Sequence, residues 1–133
     1  MTTFPQCQSI LIVEDDQDIR ETLEQLLKEE GFPAFTAKNG KEGLEMLKHI
    51  PAPSLIILDL MMPVMSGWDF LEAQKASAVY ATLPVVIVSA LKPSTVFGDR
   101  EVPNAPAGFL KKPIGLNSLL EIVQQYCVPK QDS

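Results

Sequence analysis

Short, continuous apolar runs alternate with stretches of helical periodicity along most of this 133-residue chain. The runs are rich in Val, Ile and Leu and too short for helices. Such runs are typical of parallel strands buried on both faces, and each parallel connection needs a crossover of a dozen or more residues. The alternation therefore predicts an α/β fold with a parallel sheet. Its five predicted strands are Ile10–Val13, Ala34–Ala37, 54–59, 85–88 and Gly108–Lys111.

Capping residues and chain breakers delimit the helices between these runs. The first helical pattern stops at Gly31, where a glycine suits the end of a helix. Asn39 and Glu42 form a capping box for the second helix, and Ser66, with Asp69 three residues later, caps the third. The apolar faces of the first and last helices are predicted at Ile19, Leu23, Leu26 and Leu27, and at Leu116, Leu119, Leu120 and Val123.

Right-handed crossovers place helices on both faces of such a sheet, which predicts a three-layer sandwich. We predict the flavodoxin-like strand order 2-1-3-4-5, in which strands one and three flank the switch point. Five helices are expected. The fourth, at about 94–100, should be short or irregular, because Pro103 and Pro106 cannot lie inside a regular helix. The domain is predicted to cover 9–127, with tails at 1–8 and 128–133.

Composition and charge argue against several classes of function. The formal net charge of −6 does not suit a surface that binds a nucleic-acid backbone. The amino-terminal residues lack a basic segment before an apolar stretch, and no apolar run approaches a membrane span. We therefore predict a cytoplasmic protein with neither nucleic acid nor membrane as a partner. Cys7 and Cys127 are interpreted as free thiols, and a contact between them is left open.

Acidic residues end two of the predicted strands. Glu14 and Asp15 directly follow the first strand, and Asp59 ends the third. If these strands are neighbours, the carboxylates meet at one edge of the sheet and repel one another unless a cation is bound. Oxygen ligands of this kind suit a hard divalent metal, which points to phosphoryl chemistry. Ser89 and Lys112, at the ends of the fourth and fifth strands, are expected at the same edge.

These residues, in this order, resemble the receiver domain of two-component response regulators. The resemblance extends from about Ser9 to Tyr126, and each of its pieces lies at a predicted strand end. The matching pieces are Leu11-Ile12-Val13-Glu14-Asp15-Asp16, Leu58-Asp59-Leu60-Met61-Met62-Pro63 with Ser66-Gly67 behind it, Val88-Ser89-Ala90, and Phe109-Leu110-Lys111-Lys112-Pro113.

The resemblance implies that Asp59 is a phosphoacceptor, which takes a phosphoryl group from a phosphohistidine on a histidine kinase or phosphotransfer protein. Mg²⁺, or Mn²⁺ as a substitute, would be bound by Asp15, Asp59 and the backbone carbonyl of Met61. Glu14 stands where many relatives have Asp, and its longer side chain is expected to act through a metal-bound water. Asp16 is left out of the site and assigned to the start of the first helix.

The resemblance also implies a switch. Lys112 would pair with the phosphoryl charge and Ser89 would donate a hydrogen bond to it, whereas Lys111 should point to the opposite side of its strand. In the family, an aromatic residue on the fifth strand swings inward as the hydroxyl residue moves. Phe109 occupies that position, and it lacks the hydroxyl of the more usual Tyr. The output surface would then contact a downstream protein that the sequence does not identify.

Three functional classes are compared. A phosphorylatable receiver that acts alone, as a monomer or weak dimer and not as a metabolic enzyme, fits all the motifs. An aspartate-nucleophile phosphatase would carry a second Asp two residues after the nucleophile, where this chain has Met61. A pseudo-receiver that only binds other proteins would have lost one of the site residues. A receiver fragment of a hybrid histidine kinase is a further alternative.

Overall fold

The computed structural model describes residues 9–50, 53, 55–60, 65–90 and 108–126. Strands and helices alternate through the first half of the chain, as the sequence predicts. The strands are β1 (Ile10–Val13), β2 (Ala34–Ala37), β3 (Leu55–Asp59), β4 (Val85–Ser89) and β5 (Gly108–Lys111). The helices within the described ranges are α1 (Gln17–Glu29), α2 (Gly40–Leu47), α3 (Gly67–Ala76) and α4 (Leu116–Gln124).

All five strands form one parallel sheet in the order β2-β1-β3-β4-β5, which confirms the predicted order. In its register, Val13 lies opposite Leu58 and Asp59 lies opposite Val88. Ser89 lies opposite Lys111 at the far side. The carboxyl ends of β1, β3 and β4 are therefore adjacent, because parallel neighbours end at the same edge of a sheet.

Alternate residues along each strand pack into two separate apolar layers. On one side, Ile12 and Ile57 pack with Leu27 of α1 and Leu119 of α4. On the other side, strand residues pack with α2 and α3, where Phe70 is completely buried. The helices therefore cover both faces, as predicted for strands that are apolar along their whole length.

The predicted N-cap residues are present at the helix starts, but the Asn39–Glu42 pair is only half of a capping box, because Glu42 Oε1 accepts from the Lys38 amide at 3.2 Å. Asp16, Asn39 and Ser66 each accept a hydrogen bond from the backbone amide three residues later. Gly31, just after α1, has φ of 89°, a conformation that costs little only for glycine. These local signals explain why the chain forms helices between the strands that carry the acidic residues.

Several predictions fall outside the described residues. These are the irregular fourth helix at 94–100, the relation between Cys7 and Cys127, and the backbone carbonyl of Met61. The last described helix is therefore numbered α4 here. In the ranges that the structure describes, none of the helices has the length and hydropathy needed to cross a bilayer.

Candidate functional site

The polar residues predicted at strand ends meet at one edge of the sheet. Glu14 directly follows β1, Asp59 is the last residue of β3, Ser89 is the last residue of β4, and Lys112 follows β5. Glu14, Asp59 and Ser89 are nearly inaccessible to solvent, and Asp15 is exposed. The strand order brings these residues together, although they are up to 98 positions apart in the sequence.

The carboxylates form a tight cluster with one ammonium. Glu14, Asp15 and Asp59 each offer a carboxylate oxygen within 4.8 Å of the others. Lys112 Nζ lies 2.7 Å from Glu14 Oε1 and 3.4 Å from Asp59 Oδ2. The ammonium also donates a long hydrogen bond to Asp59 Oδ2 across the 3.4 Å distance. One positive charge thus faces three carboxyl groups.

The Glu14 carboxyl is buried beside a single cation. Lys112 Nζ makes an ion pair with its Oε1 at 2.7 Å, and its Oε2 has no hydrogen-bond partner among the described residues. Burial, followed by the neighbouring Asp59, raises the pKa of Glu14 to about 8. Partial desolvation beside the cluster, followed by Asp59, also raises the pKa of Asp15, although much of its side chain is exposed. A buried carboxylate oxygen such as Glu14 Oε2 is an acceptor that a second cation or a water would satisfy.

Lys112 is fixed at the edge of the sheet from both its backbone and its side chain. Its amide donates to the carbonyl of Ser89 at 2.8 Å, and the Lys112–Pro113 peptide bond is cis. Burial lowers the pKa of the Lys112 ammonium, but the carboxylates of Glu14 and Asp59 outweigh this effect and the pKa is raised. Lys112 therefore keeps its charge at neutral pH. Lys111 is exposed, as expected for the residue before it.

Two glycines permit close backbone packing around the segment that follows Asp59. The amide of Gly67 donates to the carbonyl of Leu60 at 3.0 Å, and a Cβ atom at Gly67 would lie 2.5 Å from the Asp59 carbonyl oxygen. The amide of Gly40 donates to the Met65 carbonyl at 3.3 Å. The start of α3 and the start of α2 therefore both touch the backbone near the acidic edge.

Arg20 is a site residue that the sequence reasoning did not identify. Its Nη1 lies 3.0 Å from the carbonyl oxygen of Glu14 and 3.3 Å from that of Asp15. Long helical side chains point back toward the helix amino terminus, so a basic residue in the first turn after an acidic strand end is a recognisable signal. Asp16, in contrast, caps α1 through its bond from the Ile19 amide and is not in the carboxylate cluster.

The predicted switch residues lie on neighbouring strands. Ser89 is buried at the end of β4, and Phe109 lies on β5 opposite Ile87. The Phe109 ring is half-buried and packs against the apolar layer that also contains Phe70. The structure therefore brings Ser89 to the acidic edge and places Phe109 in the next strand. Their roles in a switch remain predictions.

Comparisons with known proteins agree with this arrangement. The sequence model of the response regulator receiver domain matches residues 10–124. A protein of Leptolyngbya boryana, described as an uncharacterized 14.6 kDa protein in the sodA1 3' region, is 34% identical over 122 residues, covering 90% of this chain and 89% of that protein. The response regulator Rre1 of Synechocystis sp. is 33% identical over 129 residues, covering 94% of this chain and 54% of Rre1.

A solved structure has the same fold. The signal receiver domain of a signal transduction histidine kinase from Syntrophus aciditrophicus is 30% identical, with a TM-score of 0.78, and the match covers 95% of this chain and 96% of that domain. The chain belongs to the response regulator receiver domain family. Such domains are signalling modules of two-component systems rather than metabolic enzymes. The chain spans about half the length of Rre1.

The raised pKa of Glu14 predicts how the stability of the metal-free protein depends on pH. The folded protein holds this proton more tightly than the unfolded chain, so the free energy of unfolding should fall as pH rises from about 4.5 to about 8. One proton accounts for at most about 1.4 kcal/mol for each pH unit. Thermal unfolding in EDTA at pH 5.5 and pH 7.5 measures the effect.

Glu14→Gln is the matched control for this prediction, because the amide has nearly the same shape and does not titrate. Its unfolding temperature should depend less on pH over the same interval than that of the wild type. An equal pH dependence in both proteins would contradict the assignment to Glu14.

Proposed function

We propose that Asp59 accepts a phosphoryl group from a phosphohistidine on a histidine kinase or phosphotransfer protein. The observation that carries this proposal is the convergence of Glu14, Asp15 and Lys112 on Asp59 at one edge of the sheet. A buried aspartate with two acidic neighbours and one ammonium has little structural value by itself, because buried charges rarely stabilise a fold. The arrangement of the four groups is therefore better explained by a chemical function than by a contribution to stability.

In the transfer, an Asp59 carboxylate oxygen forms a bond to phosphorus while the bond from phosphorus to the imidazole nitrogen breaks. The other ring nitrogen of the phosphohistidine carries a proton, so the ring leaves as neutral imidazole when its nitrogen takes the electron pair of the broken bond. The products are an aspartyl phosphate and the neutral histidine of the donor. Negative charge on the phosphoryl oxygens must be met as the anionic nucleophile approaches. Lys112 Nζ is 3.4 Å from Asp59 Oδ2, and is therefore placed to pair with an oxygen of the incoming group.

The donor set fits Mg²⁺, with Mn²⁺ as a substitute. Three carboxyl groups, each with an oxygen within 4.8 Å of the others, supply hard oxygen ligands, and Glu14 Oε2 is an acceptor for a metal-bound water. We assign Asp15 and Asp59 as direct ligands, with the carbonyl of Met61 as a third, and Glu14 as a ligand through water. When bound, the metal would neutralise phosphoryl oxygens and offset the repulsion among the carboxylates.

Ser89 and Phe109 are the proposed relay from the phosphate to a protein-binding surface. The Ser89 hydroxyl would donate to a phosphoryl oxygen, and its movement would let the Phe109 ring pack further inward. Hydrogen bonds from Ser89 and Lys112 to the phosphate are worth about 3–6 kcal/mol together. This is comparable with the roughly 5.5 kcal/mol that turns a 1:99 population into 99:1. The downstream partner would be a protein that recognises the switched surface.

The test is intact mass measured after incubation with Mg²⁺ and acetyl phosphate, a small acyl-phosphate donor. The wild type should gain one phosphoryl group, and Asp59→Ala should gain none. Asp16→Asn is the matched control, because it changes a neighbouring acid and keeps a residue that can cap α1. It should be phosphorylated like the wild type.

An increment that survives in Asp59→Ala would contradict the assignment of the phosphoacceptor. The absence of any increment in the wild type would favour a binding module that does not accept a phosphoryl group.

A further inference from the structure

Arg20 joins the two acidic residues of the cluster through their backbone. It lies in the first turn of α1, is half-buried, and approaches the carbonyl oxygens of Glu14 and Asp15 with the same Nη1 atom, at 3.0 and 3.3 Å. These two carbonyls follow the last residue of β1 and belong to the turn into α1. The guanidinium thus ties the start of α1 to the turn that carries the acidic pair.

The orientation of these carbonyls determines where the acidic side chains point. Rotation of a peptide plane in the turn would redirect the Cα–Cβ bonds on either side of it, and the side chains of Glu14 and Asp15 would turn with them. Asp15 is exposed, so close packing does not hold its side chain in place. Glu14 is buried, and its Oε1 pairs with Lys112 Nζ at 2.7 Å, but its Oε2 has no hydrogen-bond partner among the described residues. Backbone contacts of the turn therefore contribute to aiming Glu14 and are the main hold on exposed Asp15.

We propose that Arg20 is a positioning residue for the divalent metal site, which it controls by fixing the turn of Glu14 and Asp15. The inference rests on the proposed function, because it assumes that the acidic cluster binds Mg²⁺. Groups that orient metal ligands by hydrogen bonding typically change metal affinity or activity about 10- to 100-fold when they are removed. We expect an effect at the lower end of this range, because Arg20 holds the backbone of the ligands rather than their carboxylates.

Removing Arg20 should change the Mg²⁺ affinity in opposite directions, depending on whether Arg20 acts through its charge or by positioning the acidic pair. A guanidinium beside the cluster repels Mg²⁺, so its removal should tighten binding if Arg20 acts only through its charge. If Arg20 positions the acidic pair, its removal should weaken binding despite that gain. Arg20→Lys keeps the charge and a donor group that can reach one of the two carbonyls that Nη1 contacts, so part of the positioning is retained. Its affinity should fall between those of the wild type and Arg20→Met.

Calorimetric titration of the full chain with Mg²⁺ tests this. We expect the dissociation constant to rise about 10-fold in Arg20→Met and less in Arg20→Lys. Lys28→Met is the matched control, because Lys28 is an exposed residue of the same helix that pairs with Glu24 and has no contact with the acidic turn. Its Mg²⁺ affinity should equal or slightly exceed that of the wild type.

The Mg²⁺ dependence of phosphorylation by acetyl phosphate is a second measurement. A general loss of stability would not change this dependence in the way that a weakened metal site would. In Arg20→Met, the Mg²⁺ concentration for half-maximal rate should rise about 10-fold, while the rate at saturating Mg²⁺ stays within about 3-fold of the wild type. Mg²⁺ affinity in Arg20→Met equal to or tighter than that of the wild type would overturn the role of Arg20. Failure of the wild type itself to bind Mg²⁺ would overturn the proposed function and the inference with it.

Discussion

A Lys112→Met variant is expected to accept a phosphoryl group on Asp59 about 10²–10³ times more slowly than the wild type. Lys112 is the one cation found within ion-pair distance of Asp59 among the residues that the structure describes. Without it, none of the described side chains supplies a fixed positive charge to the phosphoryl oxygens as the Asp59 carboxylate approaches phosphorus. The rate of mass increase with acetyl phosphate, at saturating Mg²⁺, measures the loss.

The same variant should bind Mg²⁺ more tightly than the wild type. Lys112 Nζ competes with a metal for the carboxylates, since it lies 2.7 Å from Glu14 and 3.4 Å from Asp59. Removing its charge lowers the repulsion felt by a divalent cation at the cluster. Slower transfer combined with tighter metal binding would separate the role of Lys112 in the chemistry from any general damage to the site.

Lys111→Met is the matched control for this experiment. Lys111 precedes Lys112, carries the same charge and is exposed. It should leave both the phosphorylation rate and the Mg²⁺ affinity close to those of the wild type. The assignment of Lys112 would be wrong if its replacement left the rate unchanged while the metal site was fully occupied.

A Gly67→Ala variant is expected to lose about 3 kcal/mol of stability, near the upper end of the usual cost of overpacking. The added Cβ would lie 2.5 Å from the Asp59 carbonyl oxygen and 2.6 Å from Leu60 Cα. Both are backbone atoms, so no side-chain rotation relieves the contact. For a domain of this size, such a loss corresponds to a fall of about 10 °C in the unfolding temperature.

Gly115→Ala is the control for a glycine in open space. The nearest atom to a Cβ there is Ser118 Oγ, at 3.8 Å. Gly115→Ala should lower the free energy of unfolding by no more than about 1 kcal/mol. This loss arises because Ala is a poorer N-cap residue than Gly at the start of α4. Thermal unfolding of the two variants decides the comparison. Equal stability of Gly67→Ala and Gly115→Ala would show that the segment after Asp59 moves without cost.

The methyl group added in Gly67→Ala should also slow the phosphorylation of Asp59. Asp59 and Leu60 would have to move away from α3 to make room for the methyl group, and the Asp59 carboxylate would move relative to Lys112. We expect slower phosphorylation even at a temperature where Gly67→Ala is fully folded. Acetyl phosphate labelling at 15 °C, with folding checked by circular dichroism, measures this second effect.

The sequence predicted the elements well because their signals are local. Uniformly apolar runs such as 85–88 indicate strands that are buried on both faces of the sheet. Capping residues such as Asn39 and Ser66 mark the starts of helices to within a few positions. The convergence of Asp59 with Glu14 and Asp15 followed from the strand order alone. Only the order 2-1-3-4-5, predicted by analogy and then observed, made β1 and β3 neighbours.

The details of the site were less predictable, because they depend on distances between residues far apart in the chain. Lys112 was expected to pair with the phosphoryl charge at Asp59, yet its shortest approach is to Glu14. A glutamate in place of the more usual aspartate is one methylene longer, and only the packed structure shows where that extra length takes the carboxylate. Arg20 was missed because its partners are backbone carbonyls; its position in the first helical turn after an acidic strand end was the one signal in the sequence.

The sequence by itself determined the α/β class, the strand positions to within one residue and the placement of acidic, hydroxyl and lysine residues at strand ends. These properties follow from hydrophobic periodicity and from turn chemistry over a few neighbouring residues. The tertiary structure decided which side chains touch: Lys112 beside Glu14, Arg20 on the acidic turn, and Gly67 against the backbone of Asp59. Such contacts depend on how the helices pack against the sheet. No local sequence pattern encodes differences of about one ångström in that packing.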